Sequence, residues 1–259
     1  MKAFFTTILA IGCVVILILG NLHWKEKTAV IKPEAAESKT EVADQETNTA
    51  SAGILKLAAN WPKESQELLK KRIEEKKPLK IHIVGSEALG EGANSWPELL
   101  KAELMEAYGE STIDVKISSH DLNSLEYINE DTQQELIAEK ADLVILEPFT
   151  LKDNGVVTIE DSLLNVDTII SDTKDSNPNL TFILQPPHPL YNATFYPVQV
   201  ENLKQFAEQN NITYLDHWTA WPDQTSQEMK EYLSSNNSQP SEKGHEVWAE
   251  YLVEYFISK

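Results

Sequence analysis

The residues best placed to do chemistry are a serine, a few histidines, and several side-chain amides and carboxylates, each standing just after an apolar run. Ser86 is the foremost, at the tip of Ile81-His82-Ile83-Val84-Gly85-Ser86-Glu87-Ala88-Leu89-Gly90. An alternating, β-branched run that stops in a Gly-flanked turn reads as a strand, and Asn94-Ser95-Trp96-Pro97-Glu98-Leu99-Leu100 reads as the start of a helix. At the carboxyl end of a strand in an open α/β sheet, a serine meets the crevice where ligands bind and where backbone N–H groups can face a developing anion. The implied chemistry is nucleophilic attack by the hydroxyl. The plain alternative is a turn serine that caps the next helix.

A serine nucleophile needs an acceptor for its proton. His188 is the expected base, because Gln185-Pro186-Pro187-His188-Pro189 is a stiff loop after the fourth apolar run. His120, after the second run, is its competitor. Glu147 ends the third run and is either an orienting group for the site or an ion-pair partner of Lys152. Asn154, in the loop after the third run, is an amide donor for the same edge, provided its loop folds back. Asp216-His217 reads as structural, His245 as a capping or packing residue of the last helix, and His82 as a strand residue without implied chemistry. Tyr191, Phe195, Tyr196, Trp218 and Trp221 follow the fourth and fifth runs, either as a stacking surface for sugar rings or acyl chains or as cover for the sheet's open edge.

The elements that must hold these residues follow from periodicity. A helix is expected over about Trp61 to Glu75, then strands at Lys80 to Val84, Ile113 to Ile117, Leu143 to Leu146, Thr181 to Leu184 and Thr213 to Leu215. Helices are expected between them, near Ser95 to Tyr108, Asp131 to Lys140, Ile159 to Thr173 and Val198 to Asn210, with a last one from about Ser241 to Ile257. Strands joined by long crossovers predict an α/β fold: three layers around a doubly wound, flavodoxin-like parallel sheet of five strands. Val247, Trp248, Tyr251, Leu252, Tyr255 and Phe256 recur at helical spacing and predict the core face of the last helix.

Two blocks carry a resemblance to a known family. Val84-Gly85-Ser86-Glu87-Ala88-Leu89-Gly90 lacks the second Gly of a G-x-S-x-G elbow. It is similar instead to the first block of the SGNH/GDSL hydrolases, G-D-S-L-x-x-G. Gln239-Pro240-Ser241-Glu242-Lys243-Gly244-His245 resembles that family's last block, H-P-N-x-x-G-H. The resemblance implies a Ser-His-Asp triad, an oxyanion hole with a Gly and an Asn, and ester substrates. It also exposes departures. Gln239 stands where the catalytic His belongs and Asn236 where the Asp belongs, and an amide cannot take a proton from serine near neutral pH. Ser118-Ser119-His120-Asp121 lacks the expected Gly, and the run from Glu147 to Gly155 replaces the short G-x-N-D block.

The rest of the chain bounds the setting. Lys2 precedes an apolar run from Ala3 to Leu19, and no A-x-A-like site follows it, so an uncleaved membrane anchor is expected over 1–24. Cys13 is the one cysteine. Its apolar surroundings read as membrane helix rather than as a lipidation box, and alone it makes no intramolecular disulfide. Residues 25–53 read as a polar, flexible linker and 54–259 as the folded domain. A net charge of −19 opposes nucleic-acid binding. No metal or phosphate-cradling motif is present, so no cofactor is expected.

Two functions are consistent with this sequence. One is a membrane-tethered, extracytoplasmic esterase or deacylase acting on a small-molecule ester or a cell-envelope glycan, through Ser86, His188 and Asn154. The other is an inactive module of the same fold that binds a carbohydrate or peptide with Gln239, Asn236 and His120.

Overall fold

The computed structural model describes residues 51–236 and 238–259, and Ser51–Lys259 is one compact unit. The expected anchor and nearly all of the linker lie outside the described residues. Among the described residues no helix is long and apolar enough to cross a membrane.

Helix α1 (Lys63–Glu74) leads into β1 (Leu79–Ser86), α2 (Trp96–Tyr108) and β2 (Ile113–His120). Then come α3 (Ser124–Asn129), α4 (Gln133–Glu139), β3 (Leu143–Leu146), the single turn α5 (Thr150–Asp153) and α6 (Ile159–Ser176). β4 (Thr181–Leu184), α7 (Tyr196–Gln209), β5 (Thr213–Tyr214) and α8 (Glu242–Phe256) complete the fold. All the strands are parallel, in the order β2-β1-β3-β4-β5. That is the doubly wound, flavodoxin-like order expected from the sequence.

Strand alternation builds the two cores. Leu79, Ile81 and Ile83 of β1, with Leu143 and Ile145 of β3, face one cluster made with Leu69, Trp96, Leu100, Trp248, Leu252 and Phe256 from α1, α2 and α8. Val84, Val144, Leu146, Phe182 and Leu184 face the other, against Tyr127, Leu136, Val166, Ile169 and Leu203 from α3, α4, α6 and α7. A sheet buried on both faces explains why β3 is apolar at every position.

The expected helix from Asp131 to Lys140 is present as α4, shortened to Gln133–Glu139, and an unexpected helix, α3, precedes it. Asp131 takes a positive φ of 55°, which breaks the helical path, and a separate helix starts earlier at Ser124. Its start is a capping box: Asn123 Oδ1 accepts the Glu126 N–H at 2.9 Å, and Glu126 Oε2 accepts the Asn123 N–H at 3.0 Å. The spacing of Asn123 and Glu126 is readable in the sequence. Asn123→Ala is expected to cost about 1 kcal/mol, since one orphan N–H of the helix loses its acceptor. A lowered urea midpoint at unchanged slope would show it, and an unchanged midpoint would refute it.

Candidate active site

β1 delivers Ser86 to the carboxyl edge of the sheet, next to β3. Ser86 is 1% exposed and caps a short 3-10 turn (Glu87–Leu89), its Oγ accepting the Ala88 N–H at 3.2 Å. The capping role and the site role thus coexist. β1 and β3 pair as far as Val84 and Leu146, and the Glu147 N–H continues the ladder to the Val84 carbonyl at 2.9 Å. Gly85 and Glu147 are therefore level. Ser86 Oγ donates to Glu147 Oε2 at 2.6 Å, and the Ser86 N–H donates to the same oxygen at 2.7 Å.

Glu147 is fully buried, and burial pushes its carboxyl up to about 7, against the opposing pull of the two Ser86 hydrogen bonds. Its other oxygen, Oε1, has no hydrogen-bond partner among the described residues. Lys152 does not pair with it. That ammonium instead bridges Glu87 and Asp121 at the surface.

The expected base makes no hydrogen bond to the nucleophile. His188 is fully buried, neither ring nitrogen has a hydrogen-bond partner among the described residues, and none of the hydrogen bonds of Ser86 goes to it. Burial first, and the nearby His245 ring second, hold its pKa down to about 3. The loop that carries it is clamped from the far side of the sheet: Trp218 Nε1 donates to the Pro187 carbonyl at 2.7 Å, and His217 Nε2 meets the Pro186 carbonyl at 2.8 Å. His217, as expected, is structural. It also accepts from Trp221 Nε1 and lies flat on Trp248, with ring centroids 4.0 Å apart.

The expected oxyanion donors are not placed for that role. The Ser86 N–H is spent on Glu147. Asn154 ends the α5 turn on the exposed side, because its neighbour Asp153 is buried and accepts from the Ser124 N–H and the Ser162 hydroxyl. The loop does not fold back.

His120 lies opposite Ser86 in the β1–β2 register, but its ring is edge-on to Tyr127 at 5.2 Å and none of the Ser86 hydrogen bonds goes to it. Ser119 takes its place and donates to the Ser86 carbonyl at 3.0 Å. Asn236 is exposed and builds its own turn, accepting from Ser234 Oγ, Ser238 N and Ser238 Oγ.

Gln239 lies at the edge: with Glu87, Gly90, Glu91, Ser119 and His245 it lines a cavity of about 310 Å³ beside Ser86, and its Oε1 is buried without a partner among the described residues. His245 is the residue that sequence reasoning undervalued. Its Nδ1 accepts the Trp96 N–H at 3.3 Å, so it caps the start of α2 rather than its own helix, and the proton is left on Nε2. The ring then reaches the cavity over Gly90. A Cβ at Gly90 would fall 2.5 Å from the ring, so the glycine's bare Cα was the available signal.

His82, read as a strand residue without chemistry, is buried and bonds Ser118 Oγ at 2.9 Å. Of the aromatics, Tyr196 and Trp221 are buried and Trp218 braces the proline loop, while Phe195 alone is largely exposed. They cover the edge more than they offer a stacking surface.

No family model matches the sequence, and no curated protein matches it significantly. Solved structures do match. A protein assigned to the GDSL-like lipases, from Parabacteroides merdae, superposes with a TM-score of 0.58 at 13% identity, over 70% of this chain and 96% of its own. An acetylxylan esterase from Geobacillus stearothermophilus gives 0.55 at 17%, over 70% and 94%. A carbohydrate esterase of family 3 from Talaromyces cellulolyticus gives 0.58 at 12%, over 68% and 94%. Identities this low speak for architecture alone, and at that level the neighbours converge: this chain has the α/β fold of the SGNH/GDSL hydrolases.

Proposed function

We propose that this chain is a serine-dependent ester hydrolase, held outside the cytoplasm by its N-terminal apolar segment and acting on an O-acyl group of a cell-surface glycan or a lipid. The observation that carries the reading is Ser86 itself. It sits at the carboxyl end of the first strand of an SGNH-type sheet, with its hydroxyl proton already held by an acceptor 2.6 Å away. A hydroxyl so held is oriented and polarised for attack on an acyl carbon.

The cavity narrows the substrate. Its lining of carboxylates, a serine, an amide and an imidazole contains no aliphatic side chain, which suits a hydroxyl-rich alcohol and a short acyl group. A glycan acetate is therefore favoured over a fatty ester. The two neighbours described as an acetylxylan esterase and a carbohydrate esterase support that choice. In this reading Gln239 and the His245 Nε2–H hydrogen-bond the substrate.

A second reading has its own support. Gln239 occupies the place of the resembled family's histidine with a buried, unpartnered oxygen, as a carbohydrate-binding module of this fold would require. One experiment separates the two. The full-length chain in detergent is treated with a fluorophosphonate and assayed on p-nitrophenyl acetate and on acetylated oligosaccharides, beside Ser86→Ala. The hydrolase reading expects labelling and turnover in the wild type and neither in the variant, a loss of roughly 10³-fold or more. Acetylated-glycan binding by a wild type that neither labels nor turns over would establish the module instead.

A further inference from the structure

Resting on the reading of Ser86 as nucleophile, we propose that Glu147 is the catalytic base that takes the Ser86 proton, so that a serine–carboxylate pair does here the work of a serine–histidine pair. Glu147 Oε2 is 2.6 Å from Ser86 Oγ, within the range for proton transfer, whereas no imidazole among the described residues hydrogen-bonds that hydroxyl.

The chain is built around this contact. A Cβ at Gly85 would lie 2.8 Å from both Cβ and Oε2 of Glu147, so the carboxylate reaches the serine across a strand only because residue 85 is glycine. Phe149 adopts a left-handed φ of 62° just beyond, costly for a bulky side chain, and its N–H closes a tight turn onto the Glu147 carbonyl at 3.0 Å. Strain and a missing side chain on either side of one carboxylate fix where it points.

The surroundings suit the role. A buried carboxyl normally has a cation or several donors, but among the described residues Glu147 has Ser86 alone on its Oε2 and no hydrogen-bond partner on Oε1. Its proton affinity, raised to about 7, is matched to accepting and returning a proton near neutral pH. The fully buried His188, held down to about 3, is a far weaker acceptor.

The reaction balances with these two groups. Ser86 Oγ bonds to the acyl carbon as its proton passes to Glu147 Oε2 and the carbonyl π pair moves onto oxygen. Collapse re-forms the carbonyl and breaks the bond to the alkoxy oxygen, which receives the proton from Glu147 and leaves as the alcohol. Water then attacks acyl-Ser86 and gives its proton to Glu147, and that proton returns to Ser86 Oγ as the acid departs. Ester and water become acid and alcohol, with both residues restored.

The test uses full-length Glu147→Gln, Glu147→Ala and His188→Asn with p-nitrophenyl acetate, each checked for folding by circular dichroism. Glu147→Gln is expected to lose 10²- to 10⁴-fold in kcat with little change in KM, and to lose the rise in rate through neutral pH. Added formate should restore part of the activity of Glu147→Ala, and His188→Asn should keep the wild-type pH profile. Wild-type kcat and pH profile in Glu147→Gln, with Ser86→Ala inactive, would overturn the base and leave the hydrolase standing. A wild type that neither labels nor turns over overturns both. Should the Glu147 variants fail to fold, the pH profiles of the wild type and His188→Asn decide: a shared ionisation near neutrality supports the assignment, and its loss in His188→Asn overturns it.

Discussion

Trp248→Ala is expected to destabilise the domain by about 3–5 kcal/mol, a large share of the roughly 5–15 kcal/mol that holds a domain of this kind folded. Trp248 has no exposed surface and joins three parts of the structure at once. One face stacks on Trp96 at the start of α2, with centroids 4.6 Å apart, and the other stacks on His217 at 4.0 Å. Its Nε1–H donates to Gln185 Oε1 at 2.9 Å, holding the first residue of the loop that carries His188. Alanine removes both stacking contacts, opens a cavity and strands a buried acceptor. Trp248→Phe keeps an aromatic ring between Trp96 and His217 and loses the N–H, so about 1–3 kcal/mol is expected from the stranded amide. Urea titrations of the three proteins check the ordering. A loss below about 1 kcal/mol for alanine would mean that the stack is not a keystone.

That stack also shows how far the sequence could be read. The helical spacing of Trp248, Leu252 and Phe256 marks a core face, and the strand runs mark the sheet, because both signals are local and repeat within one element. The order of strands follows from long crossovers and handedness. What the sequence did not disclose is contact between distant elements. Ser86 and Glu147 are 61 residues apart and meet only because β1 and β3 are neighbours in register. Each carried a local mark, a glycine before the serine and a charge closing an apolar strand, yet neither mark names its partner.

His188 failed in the opposite way. A histidine in a proline loop at the correct edge looks like a base, but its loop is clamped to His217 and Trp218, its ring is fully buried, and it makes no hydrogen bond to the hydroxyl. Asn154 was displaced by the buried Asp153 beside it, whose partners on α3 and α6 decide which way the turn faces. Gln239 and His245 were legible through the block that resembles the SGNH/GDSL family, although the histidine's reach into the cavity depended on a glycine in another block.

Glu147→Gln is expected to make the folded state more stable than wild type at neutral and alkaline pH, by up to about 3 kcal/mol. The folded-state pKa of Glu147 is raised from 4.5 to about 7, so the folded protein binds more protons than the unfolded chain between those values. Its contribution is fully present below about pH 4.5, is lost as pH rises toward 7, and is constant above, where both states are ionised. Four histidines act in the other direction. His188 and His217 are held down to about 3 and His82 and His245 to about 4, so their contribution is present above about 6.5 and is lost as pH falls through those lower values. Because the histidines are common to both proteins, the difference between Glu147→Gln and wild type isolates the carboxylate. Urea midpoints at about pH 5 and about pH 8 should diverge in favour of glutamine at the higher pH. A difference that stays constant between them would mean that Glu147 titrates like an ordinary surface glutamate. Divergence would identify a carboxylate kept in an unfavourable place beside Ser86, where an amide of the same shape would fold better but could take no proton.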